Sequence, residues 1–291
     1  MPELPEVETM RRGIAHLAGG RIEEVSFPRT KVRPIATQPA PRALRRRLAG
    51  RTLAAVHRYG KRVAIELAPH GRAHREWLVI EPRMTGLLLL VDPPSHPHVR
   101  MEIVISLPTG RERLTFWDRR GLGTIRLVDQ RELDAACGPD RLGPDGLTVT
   151  AGDLHSRLGE SRRAVKVALL DQRAVAGIGN IYAAEILLAA GIDPRAPCRH
   201  LDTAAWKRIA VAARRLLAMA VRLEGSTIGD ETYRTADNRS GRFQHRHRVY
   251  GRAGEACRRC GGRIERIIQA QRSTFFCPQC QWQPRRRCRR L

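Results

Sequence analysis

Cys257, Cys260, Cys277 and Cys280 stand in the spacing C-x2-C-x16-C-x2-C. Two close pairs of soft thiolates across a short spacer suit tetrahedral Zn²⁺, and four protein ligands leave no open position for water, so one structural zinc ion is expected. It would hold a two-stranded hairpin that has little core, whose tip, "QAQRSTFF", presents Arg272. Cys137 and Cys198 read as ordinary thiols, and Cys288 falls outside the pattern. The other end of the chain reads "MPELPEVETMRRGI", with two prolines and three carboxylates in nine residues. Removal of Met1 leaves Pro2 with a free secondary amine. An α-amino group with a pKa near 8 is about a quarter neutral at pH 7.5, whereas a lysine near 10.4 is only about one-thousandth neutral. Such an amine can attack a sugar C1′ to give a cationic iminium, which acidifies the C2′ proton and promotes elimination of phosphate. Glu3 would shuttle the proton that opens the ring. On the plainer reading, Glu3, Glu6 and Glu8 only complement the positive end of a helix dipole.

The stretch "VAGIGNIYAAEILLAAG" sets a glycine-rich turn before a helix that opens at Asn180. Gly177 and Gly179 allow close approach of a ligand to the backbone, and free N–H groups with the helix dipole make an anion site. The competing reading makes Asn180 the N-cap of a helical hairpin. A formal net charge of +24, spread along the chain, calls for a polyanionic partner, although a taste for arginine in a GC-rich genome would also raise it. No apolar run reaches the roughly 18 residues that span a bilayer, and the basic and apolar regions of a signal peptide are missing, so a soluble cytoplasmic protein is expected.

These residues need elements to position them. Leu4, Val7, Ile14 and Leu17 keep helical spacing from Leu4 to Leu17, with Pro5 suited to the first turn and Gly19-Gly20 to the end. The period then changes to two in "RVAIEL" and "VRMEIVISL", and residues 20–130 read as an antiparallel β-sandwich. Gly, Pro and Asp in "ACGPDRLGPDGLTVT" mark a linker. Helices follow near 152–160, 162–171, 180–190 and 203–224, the last with Trp206, Ile209, Ala213, Leu216, Ala220 and Leu223 on one face. The polar stretch "EGSTIGDETYRTADNRSGRFQHRH" is too long for an idle connection. The fold class is α+β, divided as 1–135 (β-sandwich with an N-terminal helix), 136–150 (linker), 151–248 (helical, with the long loop), 249–283 (zinc finger) and 284–291 (basic tail).

Taken in order, "PELPEVE", "LLDQRAVAGIGNIYAAEILLAAGI", "GSTIGD", "FQ...VYGRAGEAC" and "C-x2-C...QRSTFFCPQCQ" resemble the family of bacterial formamidopyrimidine-DNA glycosylase and endonuclease VIII, from Pro2 to about Gln281. The resemblance implies a sandwich, a helix-two-turn-helix and a zinc finger, and a monomeric bacterial base-excision-repair enzyme acting on damaged double-stranded DNA. Such an enzyme removes oxidised purines such as 8-oxoguanine and formamidopyrimidines, then cuts the strand by β,δ-elimination as an AP lyase. Carried over, Pro2 is the nucleophile and Glu3 the proton donor, while Lys61 in "YGKR" touches the DNA backbone beside them. Lys166, Asn180 and Arg272 bind DNA; Met84, Arg120 and Leu122 fill the space left by an extruded base; Glu6, Ser226 and Thr227 line the lesion pocket. Read without the resemblance, Met84 is core, and Arg120 and Lys166 are surface cations.

The chain also departs from the family. "EPRMTG" stands for the usual "HLGMSG", so Glu81 replaces a histidine expected at phosphate, and "DRRGLG" stands for "DPRRFG", so Leu122 offers an aliphatic wedge where an aromatic would stack. Endonuclease VIII-like action on oxidised pyrimidines and a non-catalytic DNA-binding zinc protein of the same fold are the alternatives. Leu4, Glu6 and the long loop argue against the first, and intact Pro2 and Glu3 against the second.

Overall fold

The computed structural model describes residues 2–69, 75–229 and 232–281. The expected basic tail, 284–291, and Cys288 lie outside the described residues. The chain divides into two compact units, Met1–Gly138 with Ala220–Gln244, and Pro139–Met219 with His245–Leu291.

In the first unit α1 (Leu4–Gly13) starts from Glu3 as N-cap, with Pro5 in its first turn and a reciprocal capping box between Glu3 and Glu6. The expected helix to Leu17 is two pieces: Ile14 leaves helical geometry (φ −107°, ψ 5°) and a 3₁₀ turn, Ala15–Leu17, carries the apolar stripe onward. Leu4, Val7, Met10, Ile14 and Leu17 are all buried. The strands β1 (Arg21–Ser26), β2 (Ala36–Gln38), β3 (Leu53–Tyr59), β4 (Arg62–Leu67), β5 (Glu76–Glu81), β6 (Gly86–Leu89), β7 (Val99–Leu107), β8 (Gly110–Asp118) and β9 (Thr124–Asp129) form two sheets. One has the order β1-β7-β8-β6, the other β2-β9-β5-β4-β3. All pairs are antiparallel except β2 with β9, where a three-residue edge strand runs parallel to its neighbour. Val99, Met101, Ile103 and Ile105 of β7 point into a core shared by α1 and both sheets, as their period of two requires. The short helix α2 (Pro41–Leu48) adds Leu44 and Leu48 to that core, and Tyr233 and Ala236 join it from the later segment. β9 runs directly into α3 (Gln130–Cys137), capped by Asp129.

The second unit contains α4 (Ala151–Leu158), α5 (Val165–Leu169), α6 (Asn180–Ala190) and most of α7 (Thr203–Arg222). α6 is apolar nearly all round and correspondingly buried. On α7 the buried face runs through Trp206, Ile209, Ala210, Ala213, Leu217, Ala220 and Val221. Leu216 and Leu223, expected on that face, are only half-buried. Trp206, Ile209, Ala213 and Ala220 lie on the expected face, and Leu217 and Val221 rather than Leu216 and Leu223 complete it. The hairpin of β10 (Glu265–Gln269) and β11 (Arg272–Phe276) turns through Ala270 and Gln271, both left-handed (φ 46° and 60°), as a two-residue turn matched to strand twist requires. Among the described residues no helix is long and apolar enough to cross a membrane.

Candidate functional site

The N-terminus is fixed rather than frayed. Pro2 is buried and Glu3 is 1% exposed. Glu6 clamps them: its Oε2 accepts the Glu3 N–H at 2.9 Å, and its Oε1 accepts the Ser226 N–H at 2.8 Å. Gly225 (φ 77°) passes so close that a Cβ there would lie 2.8 Å from Glu6 Oε1, so a side chain is excluded by both space and backbone. Glu8 does something different. Burial pushes its carboxyl up, but hydrogen bonds from Arg11 and Arg12 and the charge of Arg58 outweigh burial and leave it lowered. Glu8 is therefore an ion-pair partner of Arg11, Arg12 and Arg58 rather than a complement to the helix dipole, whereas Glu6 spends its oxygens on backbone N–H groups. Thr227 is similarly engaged, donating its hydroxyl to Tyr233 O at 2.7 Å and accepting the Gly241 N–H at 2.9 Å. Glu6 and Thr227, expected to line a lesion pocket, here organise the loop that would form its wall; Ser226 beside them is 3% exposed. Lys61 sits half-buried in the Gly60-Lys61 turn between β3 and β4.

The two loops carrying Met84, Arg120 and Leu122 are brought together by a residue that sequence reasoning missed. Asp118 is completely buried; its Oδ1 accepts the Thr85 hydroxyl at 2.5 Å and the Arg120 N–H at 3.3 Å, and its Oδ2 accepts the Gly123 N–H at 2.8 Å. Arg100 donates twice to the Asp118 carbonyl and once to that of Arg33. Around this hub Met84 and Leu122 remain half-buried and Arg120 is exposed, so Met84 is not a core residue. Loss of the carboxylate would strand several buried donors. Asp118→Ala is expected to lower unfolding free energy by about 3 kcal/mol, read from the denaturant midpoint; a change below about 0.5 kcal/mol would contradict the hub.

In the second unit Lys166 is fully buried, not on a solvated face. Its Nζ donates to Asn180 Oδ1 at 2.5 Å, and Asn180 Nδ2 donates to the carbonyl of Ser273 at 3.0 Å, next to Arg272 in the hairpin. Gly179, not Asn180, is the N-cap of α6. The N-cap reading of Asn180 therefore fails, and its side chain links α5, α6 and β11. Gln172 staples the turn before α6 by accepting the Gly177 N–H and donating to the carbonyls of Leu170 and Ile178. Arg272 is exposed. Glu185, the lone charge on apolar α6, accepts the N–H groups of Arg248, Val249 and Tyr250, each at 2.9 Å. Burial pushes its carboxyl upward against those three donors. A charge buried in an apolar helix must be paired, and that signal would have found Glu185 from the sequence.

The Sγ atoms of Cys257, Cys260, Cys277 and Cys280 lie within 4.8 Å of one another. Cys257 and Cys280 are 3.9 Å apart and Cys260 and Cys277 3.5 Å. A tetrahedron with Zn–S bonds of about 2.3 Å has edges of about 3.8 Å, so the cluster fits a zinc ion, which these four residues hold in a site closed to other ligands. Cys198, raised to about 11 by burial, and Cys137, also raised by burial, stay protonated and are ordinary thiols.

Comparison with known proteins places this geometry. Residues 1–125 match the family model of the formamidopyrimidine-DNA glycosylase N-terminal domain, 142–232 that of the same family's H2TH domain, and 254–281 that of the zinc finger found in FPG and IleRS. The formamidopyrimidine-DNA glycosylase of Laribacter hongkongensis is 38% identical, the alignment covering 97% of this chain and 100% of that one. That of Stutzerimonas stutzeri is 39% identical with the same coverage. The crystal structure of MutM (Fpg) from Thermus thermophilus superposes with a TM-score of 0.81 at 38% identity, covering 97% of this chain and 99% of that one. Lactococcus lactis Fpg in complex with an abasic site containing DNA gives 0.83 at 29% identity, covering 97% and 100%. With full-length relatives, three consecutive domain matches and a fixed N-terminal Pro-Glu pair, the chain belongs to the formamidopyrimidine-DNA glycosylase family.

Proposed function

We propose that this protein excises oxidised purines from duplex DNA and then cuts the strand, with Pro2 as the nucleophile. The observation that carries the reading is the burial of Pro2 and Glu3, with Glu3 held by Glu6, at a chain end that ordinarily frays. The Pro2 nitrogen attacks C1′ of the damaged nucleotide and the base leaves; Glu3 supplies the proton that opens the sugar. The iminium so formed withdraws electrons from C2′, whose proton is lost as the 3′ phosphate departs, and a second elimination releases the 5′ phosphate. Met84, Arg120 and Leu122 would fill the vacated space, with Arg120 donating to the orphaned cytosine. Lys61, Asn180 and Arg272 would hold phosphates, and the buried Lys166 would position the Asn180 side chain. Glu6, Ser226 and Thr227 would act on the lesion through the loop they organise. The zinc ion supplies a cross-link and no chemistry of its own. The protein would work as a monomer in the bacterial cytoplasm.

The test is borohydride trapping on a duplex carrying 8-oxoguanine opposite cytosine, beside one carrying an oxidised pyrimidine. A covalent adduct that forms faster on the purine lesion is expected, and Glu3→Gln should lose excision while still cutting a pre-made abasic site. An adduct only with the pyrimidine would move the protein to endonuclease VIII-like specificity. None at all from a protein that binds DNA would remove the catalytic reading.

A further inference from the structure

At one end of the five-stranded sheet the Gly60-Lys61 turn lies beside the loop leaving β5. Val63 pairs with Ile80, so Arg62 and Glu81 are the next neighbours across β4 and β5. Glu81 meets two guanidinium groups: Arg62 Nε lies 3.2 Å from its Oε2, and Arg83 Nε 3.1 Å from its Oε1. One carboxylate cannot neutralise both, and Lys61 adds another cation to the same sheet end. Arg83 carries a second oddity. Its backbone is left-handed (φ 55°), a conformation that glycine adopts freely and an L-residue adopts at a cost. Its side chain remains 54% exposed, and among the described residues Glu81 is its only polar partner. An exposed ion pair stabilises little, too little to account for keeping an arginine where glycine would be relaxed. Strain that persists at such a point signals a function for the side chain. Contact through Nε also leaves the terminal amino groups, the fork that binds phosphate in bidentate fashion.

We propose that Arg83, oriented by Glu81 and flanked by Arg62, binds a backbone phosphate of duplex DNA next to the base-pair position that Met84 enters. This rests on the reading of Met84 as a space-filling residue. Asp118 holds Thr85, two residues along, so a phosphate bound at Arg83 would be gripped by the same loop that carries the wedge.

The test compares the wild-type protein with Arg83→Gly and Arg83→Lys, measuring affinity for undamaged and 8-oxoguanine duplexes across a salt series, together with thermal unfolding. Arg83→Gly relieves the strained backbone, so its melting temperature should equal or exceed that of the wild type. Its affinity for both duplexes should fall several-fold, with the log–log salt slope shallower by about 0.9. Arg83→Lys should keep most of the slope. Unchanged affinity and slope in Arg83→Gly would overturn the proposal, as would a lower melting temperature with an unchanged slope, which would make Arg83 a brace for Glu81. Wild-type trapping on the lesion duplex separates the two readings: trapping with an unaltered Arg83→Gly slope sinks only this inference, and a wild-type protein that does not bind DNA sinks both.

Discussion

A preparation that retains Met1, or a tag ahead of Pro2, should bind lesion-containing duplex and yet excise base and cut strand at least about 10³-fold more slowly than processed protein, the scale on which loss of a nucleophile is felt. With Met1 in place the Pro2 nitrogen is a tertiary amide: its lone pair is delocalised into the carbonyl and it bears no proton, so it cannot form an iminium. Lysines are mostly protonated at neutral pH, and Lys61 lies on a turn between strands rather than at the capped end of α1. Mass spectrometry establishes the N-terminus, single-turnover assays on an 8-oxoguanine duplex give the rate, and borohydride trapping reports the covalent step. Normal turnover by protein verified to retain Met1 would refute Pro2 as nucleophile.

Cys257→Ser should reduce co-purifying zinc from one equivalent to near zero and lower DNA affinity at least about tenfold. Structural zinc contributes on the order of 10 kcal/mol to the folding of small modules, whereas an isolated two-stranded hairpin is marginal. The hairpin's apolar support is one modest cluster: Val249, Ile264, Cys257 and Cys277 with Ala184 and Leu188 of α6, and Tyr250 and Phe275 packed against them. When it melts, Asn180 loses the Ser273 carbonyl, and Arg272 is no longer held at the turn. Metal analysis together with binding titrations checks this. A zinc-free variant with wild-type affinity would show that the finger folds without metal.

Much of this arrangement is legible in the sequence, because local patterns carry it. The period-two runs give β4 and β7, Pro5 and the carboxylates give the start of α1, and cysteine spacing gives the metal site. What was not legible depends on groups far apart in the chain. Asp118 reaches Thr85 across 33 positions and Glu185 reaches Val249 across 64, and in both hubs backbone N–H groups, which every residue but proline carries, are among the partners. Hydropathy gives most of the α7 face but not its edge at Leu216 and Leu223, because alanine fits inside and outside alike. Lys166 is ambiguous for a related reason: a lysine is usually solvated, and its burial depends on partners such as the Asn180 oxygen, 14 positions away.

The clamp on the N-terminus sets an order of events during synthesis. Glu6 accepts the N–H of Ser226, 220 positions later. At translation rates of about 5–20 residues per second, about 10–40 s separate the emergence of the first helix from that of Ser226. Throughout that interval the start of the nascent chain is accessible to the aminopeptidase that removes methionine. Once Ser226 arrives, its N–H engages the same carboxylate that holds the Glu3 N–H. On the proposed role of Pro2, trimming that lags behind this step would leave Met1 on a chain whose second residue is already buried, and the blocked form would persist in an otherwise folded protein.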